Sequence, residues 1–162
     1  MKKRIRITAA LLIILVSAGS LAGCAKGSKP KITVEPDELT KIKSTVREIR
    51  DYLETGVQFA EDAQLGKLLS PESAAALRSG FTDVLNFVKT VDDRLQTYTK
   101  FDAASREDLS KLFADVVSGI KRLNELGTLH IKNEVSWERF NRVMSLVKAV
   151  ASLVEKRLKN ES

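Results

Sequence analysis

The stretch Leu77-Arg78-Ser79-Gly80-Phe81-Thr82-Asp83-Val84-Leu85-Asn86-Phe87-Val88-Lys89-Thr90-Val91-Asp92-Asp93-Arg94-Leu95-Gln96-Thr97-Tyr98 decides the fold. Leu77, Phe81, Val84, Val88, Val91, Leu95 and Tyr98 recur at alternating spacings of four and three, which lines them along one face of an α-helix. A helix apolar on one face only must bury that face against other helices. Just upstream, Ser70-Pro71-Glu72 supplies a start, with serine as N-cap and proline at the first position, where its missing N–H is no loss.

The same period extends outward in both directions. Before it, Leu39, Ile42, Val46, Ile49, Leu53, Val57 and Ala60 form a first stripe that opens after Pro36, with Asp37 and Glu38 suited to the positive end of the helix dipole. Gly56 falls on this stripe, and the helix fades near Gly66. After it, Phe101 and Asp102 read as a connection, and Ser105-Arg106-Glu107-Asp108 reads as a capping box. A third helix follows with Leu109, Leu112, Val116, Ile120, Leu123 and Leu126; Gly127 is expected as its C-cap, making it the shortest of the set. Thr128 to Val135 reads as a connection. Ser136 then caps a fourth helix beginning at Trp137, which buries Phe140, Val143, Val147, Val150 and Val154 and ends in Lys156, Arg157 and Lys159. No alternating strand pattern appears.

The expected fold is therefore all-α: an elongated up-down four-helix bundle about 45 Å long, with a three-helix bundle and a detached or swapped first helix as the alternative. Three segments share a frame: Phe81, Val84, Val88, Lys89; Phe113, Val116, Ile120, Lys121; and Phe140, Val143, Val147, Lys148. Their unequal offsets argue against a solenoid of fixed period and for a common core constraint.

The amino-terminal part has a different character. Met1-Lys2-Lys3-Arg4-Ile5-Arg6 is basic, Ile7 to Val16 is mainly apolar, and small residues follow; this is the layout of a signal peptide, too short for a stable membrane span. Leu21-Ala22-Gly23-Cys24 then resembles the lipobox of bacterial lipoproteins. The resemblance implies that Leu21, Ala22 and Gly23 are read by the lipoprotein signal peptidase and that residues 1–23 are removed. It also implies that Cys24 carries diacylglycerol and an N-acyl chain. Two or more acyl chains hold a protein stably on a membrane, whereas one gives marginal binding. Ala25, where aspartate would signal inner-membrane retention, favours the outer membrane in a Gram-negative host. The expected organisation is a signal peptide over 1–23, a lipidated cysteine and flexible tether over 24–35, and a helical bundle over 36–162. Ala25 to Glu35, polar and broken by Gly27 and Pro30, would span up to about 40 Å when extended.

The charge balance follows from this processing. The 162-residue chain has 27 basic and 21 acidic side chains, a net +6. Removing residues 1–23 takes Lys2, Lys3, Arg4 and Arg6 and no acid, leaving 23 against 21, a net +2. The high isoelectric point belongs mostly to the signal, so a nucleic-acid partner is not expected.

Little chemistry is visible in the remainder. With one histidine, His130, expected in a polar connection, and one cysteine, no metal site or other cofactor is expected. Asp92 with Asp93, and Glu134 with Glu138, are the paired carboxylates, but their surroundings read as solvated, whereas acid–base work needs environments that push their pKa values apart. No nucleophile elbow or phosphate-binding glycine loop is present. Lys41, Lys43, Arg47 and Arg50 alternate with Glu48, Asp51 and Glu54, and i,i+4 pairing of Arg47 to Asp51 and Arg50 to Glu54 explains them as a solvated face. Trp137 is the one candidate interaction residue, though a tryptophan in a first helical turn more often closes the end of a core. The expectation is a non-catalytic, membrane-anchored domain with a protein partner. The alternatives are a module for a lipid or small apolar ligand and a phage or plasmid exclusion lipoprotein.

Overall fold

The computed structural model describes residues 37–159. They form four helices: α1 (Glu38–Leu65), α2 (Pro71–Thr97), α3 (Ala103–His130) and α4 (Glu134–Lys159). Each packs on its two neighbours in the order α1, α2, α3, α4 and back to α1, which is an up-down four-helix bundle. Because α1 packs against both α2 and α4, the detached first helix is excluded. The 28 residues of α1 and α3 correspond to about 42 Å of helix.

Local chemistry sets the ends. The Asp37 carboxylate accepts from the Thr40 N–H at 2.7 Å, and Ser70 accepts from Ser73 N–H at 3.1 Å above Pro71, as the sequence predicts. α1 ends at Leu65, as the sequence predicts, with Gly66 as its C-cap. Gly66 has φ −74°, and the left-handed residue is Lys67, φ 57°, while the Leu68 and Leu69 N–H groups both return to the Ala63 carbonyl. That returning turn drops Leu69 into the core.

Three expectations at the other ends are corrected. Ser105 is not the cap of α3: Asp102 is, accepting from the Ser105 N–H at 2.9 Å and from its hydroxyl at 2.8 Å, so the helix starts a turn early and Ser105 is buried. Gly127 is not a C-cap but a helical residue against the ring of Phe140, where a Cβ would lie 2.1 Å from Cε1. The helix continues to His130, so α3 is as long as α1 and α4, at 26 residues, is the shortest. Ser136 does not cap α4; the Asn133 side chain accepts its N–H at 3.0 Å, the helix starts at Glu134, and Ser136 points inward.

The core runs the length of the bundle and contains the shared frame: Phe81, Val84, Val88, Phe113, Val116, Ile120, Phe140, Val143 and Val147 are all buried. Two stripes shift from their expected centres. In α1 the buried line passes through Gly56, Phe59 and Ala63, leaving Val57 partly buried; in α3 it passes through Phe113 and Gly127, leaving Leu112 and Leu126 partly buried.

One layer involves all four helices. Phe81 of α2 fills the space over Gly56 of α1, where a Cβ would lie 2.1 Å from its ring, and Phe140 of α4 fills the equivalent space over Gly127 of α3. The two rings meet edge to face with centroids 6.1 Å apart.

Candidate functional site

The residues expected to carry the anchor, Leu21, Ala22, Gly23 and Cys24, lie outside the described residues. Trp137 lies within them. It is half-buried on the first turns of α4, stacked on Phe140 at 5.8 Å and 25°. Its outer edge borders a shallow hollow of about 370 Å³ formed with Thr128, Ile131, Lys132 and Glu134.

The titratable candidates are dispersed. His130 is the last residue of α3, not a residue of a connection. No group of three or more His, Cys, Asp or Glu side chains suited to a metal ion occurs among the described residues. Asp92 accepts from Gln96 at 3.1 Å, while Asp93, Glu134 and Glu138 are exposed. In the basic cluster, Arg50 lies 3.7 Å from Glu54 and 3.5 Å from Asp51. The expected Arg47–Asp51 pair is not among the ion pairs of the described residues, where Asp51 lies beside Arg50 instead.

Two polar groupings at the end of the bundle that holds Glu38 have no signature in the sequence. The Arg157 Nη1 donates to Glu38 at 3.0 Å, tying the last turn of α4 to the first turn of α1. Arg106 stacks over Phe101 at 4.3 Å and donates to the Arg157 carbonyl at 2.6 Å, one of the last-turn carbonyls that a helix leaves without an internal partner. Beside them, the Tyr98 hydroxyl donates to Asp108, whose carboxylate also lies 3.0 Å from Arg94. Burial first, and the Asp108 hydrogen bond second, hold the Tyr98 phenol above its ordinary pKa. Glu38, Asp102 and Asp108 are each matched by a cation or a hydroxyl, so the arrangement fastens the bundle end.

A groove of about 640 Å³ opens between α2 and α3. Its lining includes Gly80, against which Leu126 packs, Gly119, against which Phe87 packs, and Leu129, which is 64% exposed. Asp83, Arg122 and Glu125 form its rim, with the Arg122 guanidinium 5.9 Å from the Phe87 ring. No described helix is long and apolar enough to cross a membrane. Neither a protein-family model, nor a curated protein, nor a solved structure matches the chain.

Proposed function

We propose that the chain is a lipid-anchored protein of the bacterial cell envelope whose helical domain acts without catalysis, through contact with another protein, as a scaffold, accessory subunit or envelope component. The observation that carries the anchor is the order of basic start, short apolar run and Leu21-Ala22-Gly23-Cys24 in a chain with no other cysteine. Ala25 favours the outer membrane where the host has one. The bundle supports a contact role because its four helices bury a continuous apolar core and leave a largely polar outer surface for another protein to meet. The intact mass of the protein extracted from membranes tests the reading. The expected species begins at Cys24 and carries acyl chains; a species retaining residues 1–23, or one beginning at Cys24 without acyl groups, overturns the anchor.

The groove between α2 and α3 favours a second reading, a module for a small apolar molecule. It requires an apolar compound to leave with the protein when the anchor is removed; none in an organic extract, together with no shielding of Phe87 or Leu126 by added fatty acid, rules it out.

A further inference from the structure

Among the described residues, the outward face of α4 differs from those of the other three helices. Its exposed positions Arg139, Arg142, Leu146, Ala149, Leu153 and Lys156 alternate at three and four residues, a second heptad line opposite the core stripe. Leu146 is 41% exposed and Leu153 is 50% exposed, about 10 Å apart along the helix. The remaining large apolar side chains exposed to a similar degree, Leu65, Leu129 and Val135, stand at helix ends, so α4 alone exposes large apolar residues along its middle.

The charge of this face is mainly positive. From Glu138 onward the exposed charged residues of α4 are five cations, Arg139, Arg142, Lys148, Lys156 and Lys159, and one acid, Glu138, one turn before Arg142; Glu155 is partly buried. Lys148 is held by Asn124 at 2.6 Å. Arg139, Arg142 and Lys156 enter none of the ion pairs among the described residues, although Arg139 and Arg142 border a hollow that Asp51, Glu54 and Asp62 also line.

We infer that this face is a docking seam for one amphipathic helix of another protein, with apolar residues set between Leu146 and Leu153 and aspartate or glutamate facing Arg139, Arg142 and Lys156. Two properties choose this occupant. The line is narrow, with Ala149 between the leucines, so it admits a helix in heptad register but offers little area to a bilayer, whose binding scales with the apolar area inserted. A second copy is mismatched: pairing α4 with itself in either direction sets cations against cations, and the outward face of α1 supplies acids without exposed large apolar residues before Leu65. The inference rests on the proposal that the domain acts through protein contact, and not on the anchor.

The test places a photoreactive benzoyl-phenylalanine, one position at a time, in the full chain in the cells that make it. The positions are Leu146 and Leu153, with exposed Ser79 on α2 and Ser118 on α3 as controls. The expected result is an adduct at Leu146 and Leu153 only, mapped to a helix of another protein with acids beside its apolar stripe. Combining Arg139→Glu, Arg142→Glu and Lys156→Glu should weaken it by about tenfold or more, since like charges across an interface are strongly disfavoured. Glutamine at the same three positions, which keeps the helix and removes only the charge, should weaken it less. Adducts to lipid, to this chain itself or to a segment without acids overturn the seam, as does an adduct insensitive to the glutamates. An adduct at Ser79 or Ser118 alone overturns the seam and keeps protein contact; no adduct at any position overturns both. Palmitate labelling of the same cells reports the anchor separately.

Discussion

Phe81 of α2 and Phe140 of α4 meet edge to face at 6.1 Å across the diagonal of the bundle, although their helices are not neighbours. They reach each other because Gly56 and Gly127 lie behind them and give each ring room. Ring against glycine, twice, fixes the axial register of each helix pair: sliding either pair by one turn drives the ring into a residue with a side chain.

Gly127→Ala tests this layer. Alanine gains about 1 kcal/mol in helix propensity over glycine. Its Cβ would nevertheless lie 2.1 Å from the Phe140 ring, and overpacking of this kind costs about 1–3 kcal/mol or more. The expected outcome is a net loss in urea denaturation, with Gly56→Ala behaving alike against Phe81. Adding Phe140→Leu to Gly127→Ala should recover part of the loss, so the two changes are non-additive. A stabilised Gly127→Ala would mean that the ring is not seated there.

Ser136 is expected to behave in the opposite sense. It is fully buried and its hydroxyl has no hydrogen-bond partner. A buried polar group without a partner is unfavourable, so Ser136→Ala should be neutral or stabilise by up to about 1 kcal/mol in thermal or urea unfolding. A clear loss would show that the hydroxyl is bonded in solution.

These two positions show what was legible in the sequence. Helix number, class and neighbour order follow from the stripes around Leu77 to Tyr98, because burial enforces the helical period. The helix ends misled for tertiary reasons. Gly127 looks like a terminator by its backbone freedom, and only the Phe140 ring on the next helix shows that the missing side chain is the point. Ser105 and Ser136 look like caps by composition, but Asp102 and Asn133, three residues earlier in each case, accept the N–H groups of these serines and leave them inside. The tie from Arg157 to Glu38 spans 119 residues and has no local signal at all. The exposed line on α4 was hidden beside the stronger apolar stripe of its buried face.

Acid should act through the caps. Hydrogen bonds from Ser105, first its backbone N–H and then its hydroxyl, hold the Asp102 carboxyl below the ordinary carboxylate range; at Asp37 the bonds from Thr40 do the same. A lowered folded-state pKa contributes stability that is present above the unfolded-state value and is lost as pH falls through the folded-state value. Asp102→Asn keeps an acceptor but not the charge. Its stability should therefore fall less steeply than that of the parent on the acidic side of the carboxylate range, followed by circular dichroism during acid titration. Parallel curves would remove Asp102 from the acid response.

Replacement of Arg106 separates fastening from function. Arg106→Met should keep the apolar contact with Phe101 while giving up the bond to the Arg157 carbonyl. A cost of about 1 kcal/mol is expected, at the scale of a single hydrogen bond. Faster amide exchange should be confined to the last turn of α4 and the first turn of α1. Exchange altered throughout the bundle would contradict a local tie.

Cys24 remains the position on which the account turns, and labelled palmitate measures it most directly. The parent chain should incorporate label into a membrane-held product that begins at Cys24, and Cys24→Ser should incorporate none and leave the membrane fraction. Label retained by Cys24→Ser would contradict the lipid anchor.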